Sequence, residues 1–146
     1  MLERLGLREA LRNLIEEFKR YHDAEIISKV DLDEIKDMVP TEANIVIYRI
    51  AQEFLANVHK HSGARQVAVA IKASPEKISV TLEDNGRGFD LEEIKSRPRG
   101  QRGMGLASME ERLRMLGSRF SLTSQPGEGT RLNFEILRTD GRKLEE

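Results

Sequence analysis

Glu53, Asn57, Lys60 and His61 lie at offsets of four, seven and eight residues. On a helix that spacing stacks them in one stripe, about a turn apart. A carboxylate, an amide, an ammonium and an imidazole then face the same place, a set that suits a metal-bound polyphosphate. The amide oxygen is a hard ligand for Mg²⁺, which also draws on phosphate oxygens and water. The lysine balances phosphate charge, and the carboxylate can orient or deprotonate an attacking group. Taken alone, the same stripe reads more readily as a solvated face with an ordinary ion pair, the commoner fate of charged helix residues. His59 stands off the stripe and keeps that plainer reading.

Two glycine loops add to the stripe. Asp84-x-Gly86-x-Gly88 follows a strand pattern and Gly103-x-Gly105 opens a helical one. Glycines there let backbone approach a ligand closely, and unpaired N–H groups at a helix start suit an anion, so Gly103 to Leu106 forms a plausible phosphate cradle. Either pair alone is also common turn punctuation. There is no G-x-x-x-x-G-K-S/T loop, and Gly86-Arg87-Gly88 lacks the third glycine of a dinucleotide fingerprint. Between the loops Lys95, Arg97, Arg99 and Arg102 carry four positive charges with no acid among them, the composition of a basic lid or of a solvated loop.

The elements that must position these groups follow from periodicity. Leu7, Leu11, Leu14, Ile15 and Phe18 mark one face of a first helix. Residues 25–30 read as a strand, followed by an acidic connector. Pro40-Thr41 signals a helix start, with Thr41 as cap, and Ile47, Ala51, Phe54, Leu55 and Val58 carry a second helix to about His61, closed by Ser62-Gly63. The period then changes to two: Val67, Val69 and Ile71, a turn at Ser74-Pro75-Glu76, then Ile78, Val80 and Leu82 predict a hairpin. One helical turn over 91–95, a third helix over 106–116 ended by Gly117, and a second hairpin over 120–124 and 130–137 complete the pattern. That order implies an α+β fold, a two-layer sandwich with helices on one face of a mixed, mostly antiparallel sheet. Residues 1–146 are expected to form a single domain, with the charged tail from about 138 frayed.

Composition narrows the classes. The 146 residues carry 24 Lys and Arg against 25 Asp and Glu, a net charge of −1 that argues against general capture of nucleic acid. The absence of cysteine excludes disulfides, thiolate metal sites and a cysteine nucleophile. No apolar run approaches the roughly 20 residues of a membrane span, and Met1-Leu2-Glu3-Arg4 lacks the order of a secretory signal, so no direct membrane contact is expected.

In order, four segments resemble the catalytic and ATP-binding domain of sensor histidine kinases, within the Bergerat-fold ATPases. Residues 50–61, from Ile50 through Glu53 and Asn57 to His61, are similar to the family's N box. Asp84-Asn85-Gly86-Arg87-Gly88-Phe89 and Gly103-Met104-Gly105-Leu106 resemble its two glycine boxes, and Gly127-Glu128-Gly129-Thr130 its closing glycine-threonine element. The wording Tyr48-Arg49-Ile50-Ala51-Gln52-Glu53 and the run from Gly105 to Arg112 resemble the nitrate-sensor subfamily.

The resemblance implies ATP and Mg²⁺ as ligands and assigns roles. Asp84 would accept from the adenine amino group and so discriminate against guanine, with Thr130 supporting the same edge. Asn57 would hold Mg²⁺, Lys60 and His61 would meet phosphate oxygens, and Gly86, Gly88, Gly103, Gly105 and Leu106 would wrap the nucleotide. Glu53 matches the general base of hydrolytic relatives, either as base or as organiser of magnesium and water. The expected chemistry is γ-phosphoryl transfer to a histidine on a separate dimerisation domain, then onward to a response regulator, in the cytoplasm and with a parent protein open to membrane anchoring. None of the three histidines stands in the context of that acceptor. His22-Asp23 imitates it but reads as a helix-end pair, so the chain is expected to bind ATP without completing autophosphorylation alone. A stand-alone anti-sigma-factor serine kinase, which binds a sigma factor and phosphorylates an antagonist, is the alternative of the same fold, and a module whose ATP merely changes its shape is a non-catalytic third.

Overall fold

The computed structural model describes residues 2–31, 41–59, 63–98 and 106–137, with side chains from residues 6, 43 and 108 onward where those segments open on a helix. Its elements are α1 (Leu2–Tyr21), β1 (Glu25–Asp31), α2 (Thr41–Asn57), β2 (Gln66–Ala73), β3 (Lys77–Asp84), α3 (Leu91–Ser96), α4 (Leu106–Met115), β4 (Arg119–Ser124) and β5 (Thr130–Leu137). The five strands form one sheet in the order β1-β2-β3-β5-β4. Every neighbouring pair is antiparallel except β1 with β2, which run parallel from Glu25 opposite Gln66 to Asp31 opposite Lys72. The parallel pair is what a β1-α2-β2 crossover requires, since parallel neighbours cannot be joined by a tight turn.

Alternation along the strands sorts the two faces. Val67, Val69 and Ile71, then Ile78, Val80 and Leu82, then Leu132, Phe134 and Ile136 are buried beneath the helices. The opposite face is small and polar, with Thr81 Oγ1 donating to Asn133 Oδ1 at 2.7 Å and Lys77 Nζ 2.8 Å from Glu135 Oε2. On the helical layer Leu7, Leu11, Ile15 and Phe18 of α1 and Ile47, Ile50, Ala51, Phe54 and Leu55 of α2 join the same core. Leu14, on the same predicted stripe, is only partly buried against it. This is the α+β sandwich that the periodicities imply.

Helix ends follow local chemistry. Within α1, Gly6 has φ 78 and ψ 169, so the regular helix runs from the residue after it. Asp90 caps α3, its side chain accepting from Glu93 N at 3.2 Å. At the end of α4 the Gly117 N–H donates to the Arg114 carbonyl and the Ser118 N–H to the Leu113 carbonyl, both at 3.0 Å, with Gly117 at φ 67. Those two bonds and the left-handed glycine make a Schellman close. After Asn57 the regular turns of α2 give way to a π-helical turn beginning at Val58. The cap at Thr41 and the stop at Ser62 lie outside the described side chains and residues; Gly63 has the expected positive φ of 63.

His22 follows directly on the last residue of α1. Its ring stacks on Phe18 with centroids 4.4 Å apart and meets the His59 ring edge-on at 4.7 Å. It is thus a packing residue between the ends of α1 and α2. Burial lowers the His22 pKa from its ordinary value, His59 lowers it further, and Asp23 partly opposes them.

Two outcomes are expected. Leu82→Ala empties a fully buried position in a central strand and should cost about 3 kcal/mol in urea unfolding, whereas Thr81→Ala on the open face should stay within about 1 kcal/mol. Because His22 binds its proton less readily when folded, the unfolded chain takes up more protons as pH falls through about 6.5 and stability drops there. The urea midpoint should therefore be lower at about pH 5.5 than at about pH 7.5, with the difference narrowed in His22→Gln.

Candidate nucleotide site

The site is built where the inward parity of β3 carries a charge into the apolar layer. Ile78, Val80, Leu82 and Asp84 share one face, and Asp84 is buried, with 7% of its surface exposed. A carboxylate there is costly unless bonded. Its Oδ1 accepts from the Gly86 N–H at 2.7 Å, so the glycine two residues on shapes the turn that holds it. Across the ladder Asp84 pairs with Thr130, and Thr130 pairs with Ser124, setting the three in one row over β3, β5 and β4. Ser124 Oγ lies 2.9 Å from Thr130 Oγ1, donates to the Gly129 carbonyl at 3.1 Å and accepts from the Phe89 N–H at 2.9 Å.

The loop after β3 is clasped to the β4–β5 turn by backbone. Gly127 N donates to the Arg87 carbonyl at 2.6 Å. Gly88 and Gly129 have φ of 63 and 79, and a Cβ on them would strike the carbonyl oxygens of Gln125 and Asp84 respectively. On its other side the loop is tied to the start of β2, where Asn85 Oδ1 accepts from the N–H groups of Arg65 and Gln66, each at 2.9 Å.

Under this clasp lies a cavity of about 270 Å³. Phe54, Met109, Leu113, Phe120, Leu122 and Leu132 give it apolar walls, while Asp84, Thr130 and Asn57 supply polar points. A flat heteroaromatic ring with a donor on its edge fits that chemistry: apolar faces and one buried acceptor. Glu53 lies one turn back along α2 and lines a different hollow, of about 350 Å³, with Arg49, Gln52, Ser108 and Arg112. Met109 belongs to both walls, so the two hollows adjoin.

Of the residues singled out in the sequence, Asn57, Asp84, Gly88 and Thr130 meet at the cavity, with Gly86 behind Asp84 and Glu53 next door. Lys60, His61, Gly103 and Gly105 lie outside the described residues. Leu106 opens α4, and only its backbone is described. The basic segment is partly neutralised: Lys95 Nζ is 3.9 Å from Glu110 Oε2, and Arg97 pairs with Glu93 at 2.8 Å, a hydrogen bond that raises the arginine pKa. Arg99 and Arg102 fall outside the described residues. Ser124, Asn85 and Gly129 were missed as site residues. The parity of Phe120 and Leu122 already points Ser124 inward.

A carboxylate at the end of a central strand, held under a glycine clasp beside an apolar cavity, is a site that can take a flat ring with a donor on its edge. The chain belongs to the histidine kinase-, DNA gyrase B- and HSP90-like ATPase family, whose model matches residues 42–140. It is 40% identical over 116 residues to the sensor histidine kinase MctS of Rhizobium johnstonii, covering 77% of this chain and 24% of that protein. To the signal transduction histidine-protein kinase/phosphatase DegS of Brevibacillus brevis it is 31% identical over 137 residues, 92% of this chain and 33% of the relative. The chain thus spans 24% and 33% of these two relatives' length. The blue-light activated histidine kinase of Erythrobacter litoralis shares the fold at TM-score 0.71 and 21% identity, over 94% of this chain and 43% of that one. The catalytic domain of histidine kinase ThkA does so at 0.67 and 19%, over 92% and 94%.

The two glycines of the β4–β5 turn separate strain from collision. Gly127, at φ 83 with open space where a Cβ would stand, should lose about 1 kcal/mol on Gly127→Ala. Gly129→Ala adds a clash with the Asp84 carbonyl and should cost at least about 2 kcal/mol more by urea unfolding. Equal costs would show that the clasp yields freely.

Proposed function

We propose that residues 1–146 act as a single ATP-binding catalytic domain of a sensor histidine kinase, passing the γ-phosphoryl group of ATP to a histidine on a separate dimerisation domain. From there it would go to a response regulator. The observation that carries this reading is Asp84: a buried carboxylate at the edge of an apolar cavity, with Thr130 opposite it in the ladder. Asp84 accepts from the adenine amino group, and Thr130 supports the same edge. Guanine presents a carbonyl at that point, against which the carboxylate is left unpaired.

Asn57 lines the cavity one helical turn from Glu53, and an amide oxygen beside a carboxylate is a donor pair that a hard cation accepts. Asn57 would hold Mg²⁺, with phosphates and water completing its shell. That ion would neutralise charge on the phosphates. By the family resemblance, Lys60 and His61 would meet phosphate oxygens, and Gly103, Gly105 and the Leu106 amide would wrap the phosphates. Glu53 would act as a base or as an organiser of magnesium and water, and the rest of the catalysis would be positioning.

The phrases Tyr48 to Glu53 and Gly105 to Arg112 support placement in the nitrate-sensor subfamily. No helix among the described residues is long and apolar enough to cross a membrane, and a cytoplasmic location suits a domain that draws on ATP. The named relatives are histidine kinases, which favours this reading over the serine-kinase alternative.

Binding of ATP and GTP to the chain, followed by calorimetry, tests the base pocket. ATP should bind and GTP should not, and Asp84→Ala should weaken ATP by at least about tenfold. Equal affinity for both nucleotides would sink the assignment. Added to a dimerisation domain with its acceptor histidine, the wild-type chain should label that histidine from ATP. Glu53→Ala and Asn57→Asp should lower the labelling rate by about a hundredfold.

A further inference from the structure

Arg49, Glu53 and Asn57 follow one another along α2 at four-residue steps and share a helix face. Asn57 lines the cavity that contains Asp84; one turn back, Glu53 and Arg49 line the adjoining hollow, closed from the other side by Ser108 and Arg112 of α4. Two guanidiniums from two different helices therefore flank one carboxylate.

Both guanidiniums are held by neutral groups. Arg49 Nη1 donates to Gln52 Oε1 at 3.0 Å, and Arg112 Nε donates to Ser108 Oγ at 3.2 Å. Neither has a carboxylate within 4 Å among the described residues, whereas nearby Lys95, Arg97 and Arg114 are paired with acids at 3.9, 2.8 and 3.8 Å. Each keeps further N–H donors and its whole charge available to something in the hollow. The fork of a guanidinium matches phosphate oxygens, two N–H groups to two oxygens.

We propose that Arg49 and Arg112 bind the terminal phosphoryl group of the nucleoside triphosphate and give the site its preference for triphosphate over diphosphate. This rests on the reading that adenine sits against Asp84. With the base there and the phosphates passing Asn57, the next turns of α2 bring Glu53 and then Arg49 beside the outermost phosphate. Arg112 closes on it from α4. The α- and β-phosphates, nearer Asn57, are left to other groups, which is why the two arginines discriminate by phosphate number. Charge gathered on the transferring group would be met by both guanidiniums, without any proton leaving them.

Calorimetric titration of the chain with ADP and with the β,γ-imido analogue of ATP, both with Mg²⁺, tests this. Arg49→Gln and Arg112→Gln should each weaken the triphosphate analogue by about tenfold and leave ADP affinity unchanged. Arg49→Lys and Arg112→Lys should restore part of the loss. Arg114→Gln, on the same helix but paired with Glu111, should match wild type. Equal losses for both nucleotides, or no loss for either, would overturn the arginine assignment while wild-type binding left the base pocket standing. A wild-type chain that bound neither nucleotide would instead overturn the site reading itself.

Discussion

Backbone meeting backbone at Gly88 and Gly129 is the constraint on which the site depends. The turn after β3 and the turn before β5 approach so closely that a methyl group at either glycine would strike a carbonyl of the other segment. That proximity sets where β3 ends, and with it where Asp84 stands. The Gly127 N–H to Arg87 carbonyl bond closes the contact, and Ser124 ties it inward through the Gly129 carbonyl and the Phe89 N–H. A buried carboxylate is tolerable here because the same turn supplies its donor, the Gly86 amide.

Helix α2 answers to two demands at once. Ile47, Ile50, Ala51 and Leu55 fasten it to the sheet, while Phe54, one position from Glu53, both joins the core and walls the cavity. The polar residues at 49, 53 and 57 therefore inherit their positions from core packing, and a long, partly exposed arginine can be aimed without a salt bridge to hold it. Rigid elements position groups more sharply than loops do. The π-helical turn at Val58 comes directly after Asn57.

Much of this was legible in the residues. Strand alternation gave both hairpins, and carrying it two residues past Leu82 already directs Asp84 inward. Gly117 marked a helix end through its positive φ, a local effect, whereas the equally local cap that Asp90 gives α3 was not read. The helix offset also put Glu53 and Asn57 on one face. It could not tell that the face opens onto two hollows, because the wall between them is Met109 of another helix. Likewise the Arg97–Glu93 pair is a four-residue spacing visible in sequence, whereas Lys95 meets Glu110 only through tertiary packing. The stacking of His22 on Phe18 lies within reach of helical spacing; its contact with His59 joins segments that no local rule connects.

The clasp also couples occupancy to the integrity of the whole sheet. Asp84 and Thr130 belong to segments far apart along the chain, and loop closure on that scale must be complete before their row exists. The pocket is thus absent from unfolded chains, and a molecule that enters it draws the folding equilibrium toward the native state. At a hundredfold excess over its dissociation constant that linkage contributes about 2.7 kcal/mol, comparable with the emptying of a core position. Any molecule that fits the cavity would then act on the domain as a folding ligand.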